Sequence, residues 1–217
     1  TALITFDEVP AVQLTDFGTN GAGAVIANDP ANAGNKVLKI FKYKLPAPGS
    51  EQWAGTTIST IHGANPATDA GSIPALPFSA TAKTMTARVW SPAVGVRVRL
   101  KVEDASDNRI SCETDAITTA SGAWETLTFD FANPGLSPPV GGGATSPLDV
   151  TKTYSRLSAF MDFGVGNGGS GPLPADRVYY VDDITFVGAA GGGGGGGTAP
   201  TNAPTTVIPA GATIIYS

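Results

Sequence analysis

A long run of alternating residues between Met85 and Phe131 limits what this chain can fold into. It reads TMTARVWSPAVGVRVRLKVED, then RISCETDAITT, then AWETLTFDF. Apolar and polar residues alternate with period two, the spacing that puts successive side chains on opposite faces of a strand. Met85, Ala87 and Val89 fall on one face, with Arg88 and Trp90 on the other. Val96, Val98, Leu100 and Val102 oppose Arg97, Arg99, Lys101 and Glu103, and Leu127, Phe129 and Phe131 oppose Trp124, Thr126, Thr128 and Asp130. SPAVG, EDASDN and ASGA supply turns, through the fixed φ of Pro, the open φ range of Gly and the local bonding of Asp, Asn and Ser. The apolar phase predicts one shared core. The opposite phase, with its Arg, Lys, Glu and Trp, predicts the functional face.

Strands are also expected at Leu3–Phe6, Gly23–Asn28, Lys36–Tyr43, Trp53–Ile61, Tyr154–Gly164 and Val178–Val187, with Gln13–Asn35 otherwise rich in loop. In KVLKIFKY the lysines are expected to face outward. No capped stretch of helical period is visible, and Gly (28) and Pro (17) are abundant, as suits short strands joined by many turns. The reading is an all-β, two-sheet antiparallel β-sandwich of the jelly-roll kind over residues 1–187. It has roughly nine or ten strands, and its first and last strands meet. A linker is expected at 188–206, whose seven consecutive glycines hold no fixed conformation. Residues 207–217 read as the start of a following module, so the chain is taken as a piece of a longer protein.

Charge and cysteine content narrow the function classes. The net charge is −5 with 14 % charged residues and no basic tail, which argues against nucleic acid as the partner. No apolar run is long enough to span a membrane. No secretory leader is visible, which for a piece of a longer protein says nothing about compartment. The single cysteine, Cys112, is read as a small buried apolar residue. The one histidine, His62, stands in no nucleophile or acid–base constellation.

VWSP, VRLKVED, GAWETLTFDF, FMDFG and YYVDDITF, in this order, resemble the jelly-roll carbohydrate-binding modules of secreted bacterial polysaccharide-degrading enzymes. PTTVIPAGATIIYS is similar to the linker and opening strand of a next module in such proteins. The resemblance implies a secreted or cell-surface location, no catalysis, glycan binding and a structural calcium. It also implies that Trp124 packs against the sandwich end.

Calcium takes six to eight oxygens. Asp7 and Glu8 end the first strand, Asp182 and Asp183 stand in the last, and neighbouring strands would bring two or three carboxylates together. Buried adjacent carboxylates without a cation would be costly. From the family, Lys36 is carried over through its carbonyl, with Asn35 beside it. The metal residues are thus Asp7, Lys36, Asp182 and Asp183, with Asp183 favoured of the pair. The alternative is that one Asp faces water while the other accepts backbone hydrogen bonds.

Sugars are held by flat aromatic rings and by charged side chains that bond hydroxyls. Trp53 follows the polar loop PGSEQ and can stand at the rim of a groove. Trp90 shares the phase of Arg88. Arg97, Arg99, Lys101 and Glu103 form one row, and Arg109, Ser111 and Glu113 the next. Trp53, Trp90, Arg97, Arg99, Lys101, Glu103 and Glu113 are therefore the expected ligand-binding residues, on a sheet whose concavity the sequence leaves open. The alternative is a solvated face of ion pairs, which stabilise pairing only slightly. Three functions follow in order: non-catalytic polysaccharide binding, a structural or adhesive repeat of a cell-surface protein, and a lyase or glycosidase using Glu103 and Glu113 as a carboxylate pair.

Overall fold

The computed structural model describes residues 3–18, 23–44, 51–65, 68–137, 143–166 and 168–187. The expected linker and following module lie outside these residues. No helix forms among the described residues. Ten strands make two antiparallel five-stranded sheets packed face to face.

The strands are β1 (Gln13–Phe17), β2 (Val25–Asp29), β3 (Asn32–Lys42), β4 (Gly55–Ser59), β5 (Thr84–Ser91), β6 (Arg97–Asp104), β7 (Asp107–Ile117), β8 (Ala123–Asp130), β9 (Arg156–Phe160) and β10 (Arg177–Val187). One sheet runs β1-β4-β9-β6-β7 and the other β2-β3-β10-β5-β8. The hairpin β6–β7 therefore belongs to the first sheet, while β5 and β8, which precede and follow it, pair with each other in the second. The chain from β5 to β8 thus crosses between sheets twice.

The predicted alternation sets the core. Val96, Val98, Leu100 and Val102 of the first sheet meet Met85, Ala87, Val89, Leu127, Phe129 and Phe131 of the second in one buried cluster that also holds Cys112. Each such aliphatic side chain, fully buried, stabilises the fold by about 1.5–3 kcal/mol. The chain start meets the last strand, as expected: Ile4 bridges Ile184. That contact is a single bridge, so Leu3–Phe6 is not the strand expected there.

Two other expectations need correcting. Gln13–Phe17, read as loop, is a strand pairing with β4 along its whole length. Its sequence QLTDF carries one aliphatic residue, too few for period two to show. Lys42, expected to face outward, is 1 % exposed. It shares the inward phase of Leu38 and Ile40, and its ammonium donates to the Glu51 carbonyl. Burial lowers its pKa to about 8, against the pull of Asp162 and Glu51.

Candidate functional site

The outer face of the first sheet carries a cleft of about 440 Å³, lined by Trp53, Lys101, Glu103, Glu113, Ser158 and Phe160 among others. Two rows of cross-strand neighbours build it. Phe17, Gly55, Phe160, Arg99 and Asp115 lie side by side across β1, β4, β9, β6 and β7, and Thr15, Thr57, Ser158, Lys101 and Glu113 form the adjacent row. The first row ends in aromatic rings. The second is made of hydroxyls and charges.

The aromatic end depends on a glycine. The Phe17 ring lies over Gly55, where a Cβ would stand 2.8 Å from it and 2.6 Å from the Ala159 carbonyl oxygen. Phe17 in turn stacks on Trp53, with centroids 6.5 Å apart and planes 8° from parallel, and meets Phe160 edge-on at 5.1 Å. Trp53 is 47 % exposed at the rim. Its turn is held from both sides. Lys42 donates to Glu51 O from beneath, Gly164 N donates to Gln52 O at 3.0 Å, and Gln52 Nε2 donates to Gly168 O at 2.6 Å.

At the other end Lys101 Nζ lies 2.8 Å from Glu103 Oε1 and 4.0 Å from Glu113 Oε1. Thr57 and Ser158 share a hydroxyl–hydroxyl bond of 2.9 Å on the floor, and Ser137 and Thr145 add hydroxyls from the loop beside β7.

Arg99 is not at this surface. It is 0 % exposed, beneath the cleft. Its guanidinium forks onto Asp115 at 2.6 and 2.8 Å, donates to Glu113 Oε2 at 2.6 Å and to Leu136 O at 2.6 Å, and lies 3.6 Å over the Phe163 ring. Every nitrogen of the fork is committed within the protein, and the fork holds Glu113 in place. Gly135 permits this packing, since a Cβ there would lie 2.6 Å from Arg99 Nη2. Arg97 bonds Asp115 at 3.1 Å and does not line the cleft.

Trp90 also departs from the expected site. It belongs to β5 in the other sheet, where it meets Tyr180 edge-on at 5.5 Å and faces Trp124 in register. Trp124 donates to Asp29 Oδ1 at 3.2 Å, with Arg88 4.8 Å over its ring. Trp53 and Trp90 thus serve different sheets. Phe17, Thr57, Ser158, Phe160 and Phe163 line the cleft without having been singled out, because nothing in a local pattern tells which strands will be neighbours.

The residues expected around a metal are drawn to one corner by three contacts. Lys36 N donates to Asp7 Oδ1 at 3.1 Å, Asn35 Nδ2 donates to Asp182 Oδ2 at 2.9 Å, and Ile4 bridges Ile184. Arg88 Nη1 stands 3.3 Å from Asp182 and 3.4 Å from Asp183. Asp183 has φ of 45° at a register shift in β10. Burial raises the Asp182 pKa, against its bonds from Asn35 and the Asp183 amide. Among the described residues no group of three or more His, Cys, Asp or Glu is poised for a metal. One observation does suit a cation: Glu8 Oε2 is buried and has no hydrogen-bond partner among the described residues.

No protein-family model matches the sequence. No curated protein matches it either. Matches do occur among solved structures. They are mostly carbohydrate-binding modules with a β-sandwich fold. The family 11 carbohydrate-binding module from Clostridium thermocellum, in complex with a β-1,3-1,4-mixed-linked tetrasaccharide, is similar at 14 % identity and TM-score 0.49, over 87 % of this chain and 95 % of that one. The CBM22-2 xylan-binding domain from Paenibacillus barcinonensis is similar at 16 % identity and TM-score 0.41, over 81 % and 91 %. In a further match, from a study of promiscuous specificity in carbohydrate-binding modules of the β-sandwich superfamily, identity is 13 % and the TM-score 0.42. That match covers 81 % of this chain but only 57 % of the other.

Proposed function

We propose that this chain is a non-catalytic glycan-binding module and that a polysaccharide chain lies in the cleft of the first sheet. One observation carries this reading. A rim tryptophan, stacked on Phe17, shares an open face with two carboxylates, an ammonium and a floor of hydroxyls. Aromatic rings suit the C–H faces of sugars, and fixed charged groups suit their hydroxyls.

The same geometry supports binding over cleavage. Glu103 and Glu113 share the Lys101 ammonium, and Glu113 is also bonded by Arg99. A hydrolytic pair needs one carboxyl free to donate a proton and the other free to act as base or nucleophile, and here both are engaged by cations of the protein itself. The proposal extends, on the family resemblance, to a secreted multi-domain enzyme that carries this module. It also extends to calcium held by Asp7, Asp182 or Asp183 and the Lys36 carbonyl, with Glu8 Oε2 as a further donor. Bound there, the ion would neutralise carboxylates that folding brings close.

The test is retardation in gels that contain soluble plant, algal and microbial polysaccharides, together with an assay for new reducing ends and unsaturated uronates. Retardation by at least one polymer without product is expected. No retardation by any of them, with the protein folded, favours the structural or adhesive repeat. Product release shows an enzyme.

A further inference from the structure

The thirteen Lys and Arg residues of the chain all lie in the described stretches, and no Asp or Glu lies outside them. Every charged side chain near the cleft is therefore in view. Of the thirteen cations only Lys101 lines the cleft. Its ammonium is already 2.8 Å from Glu103 and 4.0 Å from Glu113. Arg97 and Arg99, in the same row of β6, are bonded to Asp115, and Arg99 to Glu113 as well. Arg156, opposite Glu103 in register, donates to the carbonyls of Gly71 and Ala105. The face that meets a ligand presents two carboxylates, one compensated ammonium and the hydroxyls of Thr57, Ser137, Thr145 and Ser158.

We infer that the cleft selects a neutral glycan and rejects uronates and sulfated sugars. The inference rests on the glycan-binding reading and narrows it to a substrate class. An anionic sugar would bring a like charge against Glu103 and Glu113, with no unpaired cation to meet it, and such juxtapositions are strongly unfavourable at an interface. A neutral sugar donates its hydroxyls to the two carboxylates and exchanges bonds with the floor hydroxyls. Because no net charge is transferred, its binding is insensitive to salt.

The experiment is gel retardation at low and at roughly 0.3 M salt, comparing neutral polymers (β-glucan, xylan, galactan) with polygalacturonate, alginate and a sulfated galactan. Wild type, Trp53→Ala and Glu103→Gln are run side by side. The expected result is retardation by a neutral polymer, changed less than about twofold by salt, and none by the acidic polymers. Glu103→Gln keeps an acceptor but removes one of the two negative charges and weakens the shorter of the two Lys101 ion pairs. It is expected to keep neutral binding within about tenfold, the weight of one hydrogen bond, and to gain salt-sensitive retardation by polygalacturonate. Wild-type retardation by an acidic polymer that Trp53→Ala abolishes would overturn the inference, and so would a Glu103→Gln variant that gains no acidic binding. Absence of retardation by any polymer would instead sink the glycan-binding reading itself.

Discussion

Arg99 forks onto Asp115, with Nε to Oδ1 at 2.6 Å and Nη2 to Oδ2 at 2.8 Å, wholly beneath the surface of the cleft. Such a pair is poor evidence of net stabilisation, yet breaking it on one side leaves carboxylates without their partner. Arg99→Met is therefore expected to destabilise the fold by about 3–5 kcal/mol. Arg99→Lys should recover little of this, since an ammonium cannot reproduce the planar fork. Urea denaturation checks both. A variant of wild-type stability with weaker glycan binding would show that Arg99 reaches the ligand.

Lys42 gives the fold a pH dependence of known sign. Its folded pKa, about 8, lies below the ordinary lysine value of 10.5 because burial disfavours the charged form. Between these values the unfolded chain binds more protons at this site, so stability rises with pH across the window. Below about 8 the buried charge exacts its full cost. The stability of wild type relative to Lys42→Met should rise by up to about 3 kcal/mol between pH 7 and pH 10.5. Denaturation midpoints at pH 7, 8.5 and 10 test this. A difference that stays constant with pH would contradict it.

Calcium, if held at the corner of Asp7, Lys36 and Asp183, binds the native state and raises its melting temperature. At a hundredfold excess over Kd the stabilisation is about 2.7 kcal/mol. Asp183→Asn is the suitable variant, because Asn tolerates the positive φ found there. The melting temperature should fall in chelator for wild type and be unmoved by chelator in the variant. Identical wild-type curves in chelator and in millimolar calcium would show that no calcium is held there.

The sandwich was legible because its core-forming strands are half-buried and wear their period openly: Val96 to Val102 and Met85 to Val89 lie where their phase puts them. The site was legible only in part. Phase assigns a residue to a face of its own strand, but strand neighbours follow from long-range pairing. Arg99 and Trp90 are both in polar phases, yet one lies beneath the cleft and the other on the opposite sheet. Phe17 escaped because β1 has no alternation of its own and is fixed by pairing with β4. Lys42 escaped because its inward phase continues Leu38 and Ile40, whereas a lysine is ordinarily expected outside.

The two tryptophans separate the two sheets as places for a sugar. Trp53 is at the rim of the cleft and Trp90 is on the far sheet. The decisive measurement is the affinity of wild type, Trp53→Ala and Trp90→Ala for one polysaccharide that retards the wild type, with melting temperatures measured alongside. Trp53→Ala is expected to lose at least tenfold in affinity, about 1.4 kcal/mol, with stability changed by no more than about 0.5 kcal/mol as for an exposed side chain. Trp90→Ala should bind within about twofold of wild type, less than 0.5 kcal/mol. Loss of binding in Trp90→Ala, with Trp53→Ala unaffected, would place the ligand on the other sheet and contradict a site in the Trp53 cleft.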